Sequence, residues 1–217
     1  DRVHRIQNAG MEVYAGMIVG FDSDDASVFE RQFEFLNQAR IPVVMAGMLS
    51  AIPKTPLYDR LEAVGRLDND AADDPRIATN VIPLNMTREE MRDGWVDLMQ
   101  RLYDPVNYFA RLESLYIDGK IPLGQAKMEW LRTHKPLKYA VQNSMILIAS
   151  VAMLHRVWTD PRTRPFRAYY KDFLRKFFQQ KRPLRHLFQF SARAAMHAHF
   201  AIMTRQMVKG ETRLVNT

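Results

Sequence analysis

Two short apolar runs, Glu12 to Gly20 (EVYAGMIVG) and Pro42 to Leu49 (PVVMAGML), bracket a stretch of helical periodicity, and this arrangement constrains the fold more than any other feature. Each run is apolar at both parities, the pattern of a strand covered on both faces in a parallel sheet. Between them Ser27 and Glu30 fit a capping box, and Phe29, Phe33 and Leu36 recur at helical spacing. The crossover is long enough to return the chain for a parallel partner, so residues 11–50 read as one βαβ unit. Two parallel strands do not make a stable sheet by themselves, so further strands are expected to belong to it. The opening segment DRVHRIQNAG reads as the end of a helix, without a basic-then-apolar leader, and supports the expectation of a segment from a longer protein.

Beyond this unit the signals change. Residues 67–81 are acidic and broken by Pro75, which places a boundary there and divides the chain into 1–66 and 67–217. Thr87 and Glu90 give a second capping box, opening a helix whose Met91, Trp95, Leu98 and Leu102 form a stripe. Asp104-Pro105 stops it and starts another helix, running to about Tyr116 and ended by Asp118-Gly119. Further helices are predicted over 121–133, 138–158, 161–180 and 184–208, with Gly210 as a C-terminal cap. The apolar run Met145 to Leu154 is shorter than the ~20 residues needed to span a bilayer, and a buried helix rather than an anchor is expected. The fold class is thus an α/β fragment followed by a mostly α helical domain.

Hydrophobic residues make up 47% of the 217, a proportion that supports a packed core and excludes a disordered chain. No cysteine is present, which removes disulfides, thiolate metal sites, iron–sulfur ligation and cysteine nucleophiles from what this chain does with its own residues. The net charge of +7 conceals an asymmetry. Residues 1–120 hold 13 Lys+Arg against 20 Asp+Glu, and residues 121–217 hold 18 against 4, giving −7 and +14. Two different surfaces follow from this.

At the carboxyl end of the first strand, a pair of glycines stands two residues to either side of Ile18 in Gly16-Met17-Ile18-Val19-Gly20. Glycine weakens a strand, so such a pair marks either the close approach of a ligand or backbone, or a crowded interior that needs small residues. Ligands of parallel α/β folds sit at this edge. The second strand runs into AIPKTPLY, where Pro53 and Pro56 stiffen the loop that follows it.

Together these stretches resemble the last strands of the barrel in radical S-adenosylmethionine (SAM) enzymes, most nearly the subgroup that carries an N-terminal cobalamin-binding domain. GMIVG matches the fifth-strand Gly-x-Ile-x-Gly motif, and AIPKTPLY matches the loop after the sixth strand, with Lys54 in place of the usual glycine. Ser23 and Asp24 stand near where the family has a glutamate. The stretch TNVIPLNMTREEMRDGWVDLMQRLYDPVNYFARL resembles the start of the uncharacterised helical domain that follows the barrel in that subgroup.

The resemblance implies that residues 1–66 are the last βαβ of a radical SAM barrel. In the parent protein, a four-iron cluster held by a three-cysteine motif elsewhere would cleave SAM reductively. Cobalamin-associated methyl transfer or rearrangement on an apolar, lipid-like substrate would follow. It further implies that Gly16, Ile18 and Gly20 lie beside the adenine and ribose of SAM, and that Met48, Leu49 and Ser50 offer backbone groups to the adenine. No catalytic residue and no metal ligand is expected in this chain, and none of these cofactors is expected on the segment alone. The implied location is cytoplasmic, with a peripheral contact on the inner membrane face.

That contact would use residues 164–190, which mix cations with aromatics. At 100° per residue Phe166, Tyr170, Phe173 and Phe177 share one stripe, and Arg164, Arg167, Lys171 and Arg175 lie nearly opposite. The plain reading is a helix with a solvated cationic face; its rival is attachment to an anionic membrane surface. A non-catalytic basic helical module binding a membrane or a partner is the competing class, and nucleic-acid binding ranks below both for want of a motif. His197 and His199, two apart, point about 200° away from each other on a helix and do not suit one metal ion.

Overall fold

The computed structural model describes residues 2–68, 79–119, 121, 125–179 and 186–208, excluding the side chains of 186, 188 and 189. Helix α1 (Arg2–Asn8) leads into strand β1 (Tyr14–Val19), helix α2 (Val28–Gln38) and strand β2 (Val43–Met48). There follow α3 (Pro56–Ala63), α4 (Arg88–Tyr103), α5 (Pro105–Leu112) and a π-helical turn at Glu113–Asp118. Helices α6 (Gln125–His134) and α7 (Pro136–Thr159) come next, then a 3-10 segment at Pro161–Phe166, α8 (Arg167–Gln179) and α9 (His186–Val208). The acidic pair Asp73-Asp74, Pro75 and the Gly210 cap lie outside the described residues.

The described residues form two compact units that interleave along the sequence: those of 14–38, 44–103 and 203–208 in one, and those of 2–13, 39–43 and 104–202 in the other. In the first, β1 and β2 pair side by side, with the Leu49 N–H donating to the Val19 carbonyl at 2.8 Å. Their carboxyl ends therefore coincide, as expected of a βαβ unit. The outer edge of β2 is closed by side chains from α4. The Tyr103 hydroxyl donates to the Val44 carbonyl at 2.6 Å and accepts from the Val44 N–H at 3.2 Å, and the Trp95 indole donates to the Ala46 carbonyl at 2.8 Å. Polar groups of an exposed strand edge are thereby satisfied without another strand.

Helix α4 carries the expected stripe: Met91, Trp95, Leu98 and Leu102 are all buried. Its capping box is formed in both directions, from the Glu90 N–H to the Thr87 hydroxyl at 3.0 Å and from the Thr87 N–H to the Glu90 carboxylate at 2.7 Å. Gly94 lets α4 approach α2. A Cβ there would stand 2.2 Å from a ring carbon of Phe29, so the glycine is a packing requirement despite its poor helix propensity. The Ser27–Glu30 box is not formed in this way: Asp25 accepts from the Ser27 N–H, and Glu30 instead holds Arg101 through two bonds of 2.7 and 3.0 Å.

The second unit has an aromatic core. Phe166, Tyr170, Phe173 and Phe177, the stripe read from the sequence, are all buried, and Phe173 stacks on Phe190 with centroids 5.1 Å apart. Asp104 caps α5 through the Val106 N–H at 2.9 Å, with Pro105 in the first turn. The Tyr108 hydroxyl donates to the Arg193 carbonyl at 3.0 Å. Deep in this unit Glu12 accepts from Arg193 Nε at 2.7 Å, forms a second bond with the same guanidinium, and accepts from the Tyr116 hydroxyl.

Two sequence expectations need correction. The strands are covered on one face only among the described residues: Tyr14, Ile18 and Met45 are exposed, because α2 and α4 pack on the opposite side. Helix α7 is not buried either. Apolar side chains occupy most of its circumference, but only α6 and the 3-10 segment pack strongly against it, and these are its chain neighbours. Leu137, Met145 and Ile148 are 80%, 64% and 70% exposed.

Candidate functional site

The carboxyl edge of β1 and β2 is where the glycines and the proline-stiffened loop come together. Side chains of Tyr14, Gly16 and Ile18 alternate onto one face of β1, and Met45 and Gly47 onto the same face of β2. A Cβ built on Gly16 or Gly47 would meet no atom within 4 Å. The result is a flat, open apolar patch bordered by Tyr14, Ile18 and Met45, a shape suited to a planar ring system.

Gly20 has a different role. Its φ of +103° is a conformation that side chains resist, and a Cβ there would fall 2.5 Å from Sδ of Met91. The turn it begins is held by Asp24, whose carboxylate accepts from the N–H groups of Gly20 and Phe21, both at 3.0 Å. Asp24 is thus engaged with its own turn. Asp22 next to it accepts from Arg66 at 2.8 Å and lies 3.4 Å from Arg60; the Arg66 hydrogen bond, more than its charge, holds the Asp22 carboxyl below its ordinary value.

On the other strand, Met48 is buried, while Leu49 is half-buried and Ser50 exposed. The Leu49 N–H is used by Val19, and its carbonyl accepts from the Thr79 hydroxyl. Asn80 clamps Ala51 with a pair of 2.8 Å bonds, one to the N–H and one from its own amide to the carbonyl. Such a clamp fixes the strand end in one geometry. Thr79 and Asn80 give no sequence signal of this: they follow the acidic stretch in an irregular segment without periodicity. Past them, Lys54 adopts a φ of +66°, the left-handed conformation that explains a preference for glycine in this loop, and Thr55 caps α3.

Of the six residues singled out from the sequence, Gly16 and Ile18 therefore border the open patch. Gly20 and Met48 pack inward, and Leu49 and Ser50 form the clamped strand end. Adenine could lie against such an open apolar surface. An iron–sulfur cluster does not fit this chain, which has no thiolate to hold one. No group of three or more His, Asp or Glu converges among the described residues, and His197 is enclosed by Tyr108, Phe109, Phe166 and Tyr170, its Nδ1 2.8 Å from the Tyr170 hydroxyl.

Residues 55–213 match the family model described as a domain of unknown function, DUF4070. The hopanoid C-2 methylase of Rhodopseudomonas palustris (strain TIE-1) is 36% identical over 113 residues, which cover 52% of this chain and 20% of that protein. An uncharacterised methyltransferase of Synechocystis is 34% identical over 113 residues, covering 51% of this chain and 21% of the relative. The matched stretch thus spans about a fifth of the length of these relatives. No solved structure matches the chain. Both relatives are named for methyl transfer. The chain belongs to the DUF4070 family, the C-terminal domain of B12-binding radical SAM methylases.

Proposed function

We propose that the chain is the C-terminal part of a radical SAM enzyme that transfers a methyl group to an apolar, lipid-like substrate with the help of cobalamin. The observation that carries this reading is the family match over residues 55–213 beside a glycine-opened strand edge. A four-iron cluster, with ligands outside this chain, would supply in the parent the electron that reductive cleavage of SAM requires. This chain's own part is binding. Gly16 and Ile18, as the end of the barrel, lie against the adenine and ribose; Gly20 shapes the turn below them; and the Met48–Ser50 strand end, held by Thr79 and Asn80, forms the wall of the adenine pocket. The names of the two relatives support methyl transfer, and the hopanoid in the name of the first supports an apolar acceptor.

We place the parent in the cytoplasm, peripheral to the inner membrane face. Arg164, Lys171 and Arg175 are exposed and Arg167 half-exposed, while the aromatic stripe opposite them is consumed by the core. These cations attract anionic lipid, each contributing about 1 kcal/mol near the surface. A non-catalytic module binding a membrane is the second reading, favoured by the exposed apolar α7.

The test is label transfer. Full-length protein, reduced without oxygen, is incubated with methyl-deuterated SAM and an apolar lipid extract. A lipid product carrying the label supports the reading. Label found only in unreacted SAM, with a correctly folded and cofactor-loaded protein, would favour the non-catalytic module.

A further inference from the structure

Helix α7 turns an apolar face outward. At about 1.5 Å per residue its 24 residues run roughly 36 Å. At 100° per residue Leu137, Val141, Met145, Ile148 and Val151 share one face, and all are half or more exposed, from 50% at Val141 to 80% at Leu137. The opposite side carries Ile146, Met153 and Val157 together with Gln142, Asn143 and Ser150, and Val157 is buried there. Ser150 is fully buried there, its hydroxyl turned back to the Ile146 carbonyl at 2.6 Å, and Gln142 and Asn143 are half-buried. A soluble surface helix turns polar residues outward, so water is the wrong solvent for this outer face. Ser144 interrupts the stripe once, and His155 lies where it ends.

Each end of the helix carries an aromatic residue beside a cation. At the start, Trp130 on α6 is 50% exposed, stacks on His134 and has the Lys135 ammonium 5.7 Å from its ring. At the far end, Trp158 is 43% exposed and has the Arg167 guanidinium 5.7 Å from its ring. Between Pro136 and Thr159 the charged residues are Lys138 and Arg156, and no Asp or Glu occurs. The flanking acids are engaged, Glu129 with Arg132 and Asp160 with Arg162. An apolar strip with tryptophan and basic groups at both ends matches the depth profile of a bilayer interface.

We propose that α7 is a membrane-docking helix: it lies in the plane of an anionic lipid surface with Leu137, Val141, Met145, Ile148 and Val151 in the acyl boundary. This deepens the membrane part of the functional reading and rests on it for the anionic character of the surface, not on methyl transfer. The occupant is lipid rather than a second protein because cations and indoles are placed at the ends and the apolar centre carries no charge to match. The helix lies flat rather than spanning, since its other side is already packed against α6 and the 3-10 segment.

The experiment uses full-length protein and vesicles of phosphatidylcholine, with and without phosphatidylglycerol, in co-sedimentation. The Met145→Glu/Ile148→Glu variant is compared with one in which Arg164, Arg167, Lys171 and Arg175 are replaced by Gln. Both α7 positions are exposed, so the fold is kept, which far-ultraviolet circular dichroism checks. The expected result is binding to anionic vesicles that the α7 variant loses by at least about tenfold, since two carboxylates replace two apolar groups at the boundary. Brominated lipids provide an independent readout: Trp130 and Trp158 should be quenched and the buried Trp95 spared.

Binding lost in the Gln variant but retained in the α7 variant would overturn the α7 assignment while leaving the membrane reading intact. Failure of the wild type to bind any vesicle would overturn both, and if Met145→Glu/Ile148→Glu then also converts a dimer to a monomer in sedimentation velocity, the face is a contact between copies. Protection of the quenched tryptophans from aqueous acrylamide on both sides of the bilayer would indicate a spanning helix and overturn the in-plane geometry.

Discussion

The Glu12–Arg193 pair joins residues 181 positions apart, and its removal should be among the most destabilising single changes in the helical unit. Both side chains are nearly buried, at 10% and 7% exposure, so neither charge is well solvated once its partner is gone. Burial by itself would lower the Arg193 guanidinium, but the Glu12 carboxylate outweighs it and holds Arg193 above its ordinary value. Burial first, and the Glu12 charge second, push the Tyr116 hydroxyl well above its usual range, so it stays a donor to Glu12. Replacing Glu12 by Leu strands a buried cation, which costs about 3–5 kcal/mol. Replacing both partners, Glu12→Leu with Arg193→Met, removes the stranded charge and should recover most of that loss. Urea unfolding followed by circular dichroism reads both. A Glu12→Leu cost below about 1 kcal/mol, or a double variant as unstable as the sum of the singles, would refute the view that this pair is desolvated and coupled.

Three further outcomes follow from local geometry. Lys54→Gly should stabilise the strand-end loop by about 1 kcal/mol, because Lys54 holds a left-handed φ that glycine adopts freely; a loss of midpoint in urea would contradict it. Gly94→Ala should cost about 1–3 kcal/mol, although alanine favours helices, because its Cβ has no room beside the Phe29 ring; thermal melting decides the sign. The Asp160 carboxyl, held by the Arg162 side chain and then by the Arg162 N–H, titrates at about 2. Its folded value is depressed, so its contribution is present above the unfolded value near ~3.9 and fades as pH falls through about 2; a carboxyl carbon titration with a midpoint near 4 would contradict this.

Local rules made much of this fold legible. The two strands, the Thr87–Glu90 box, the Asp104-Pro105 start and the aromatic stripe of α8 are each specified by residues within one turn or one strand of each other, where periodicity and capping chemistry are informative. What was hidden depends on distant partners. Nothing near Tyr103 or Trp95 signals that they close the edge of β2, and Glu12 and Arg193 are ordinary surface residue types until the fold buries them. The Ser27–Glu30 box failed because Arg101 offers Glu30 two charged bonds where the helix start offers one weaker bond. Helix α7 misled for another reason: an apolar run normally means burial, and composition does not tell whether protein or lipid does the covering.

For the strand-edge patch, the glycines and prolines were visible as punctuation, but their different duties were not. Gly16 opens a face and Gly20 makes a turn, a distinction set by φ and by Met91 rather than by residue type.

The central claim is that this chain completes a radical SAM enzyme, and the most direct measurement is made on the full-length protein purified without oxygen. Its iron content and ultraviolet–visible spectrum are recorded, and after reduction with SAM the mixture is assayed for 5′-deoxyadenosine. The account predicts cluster absorbance together with that product. A correctly folded full-length protein that shows neither would contradict it.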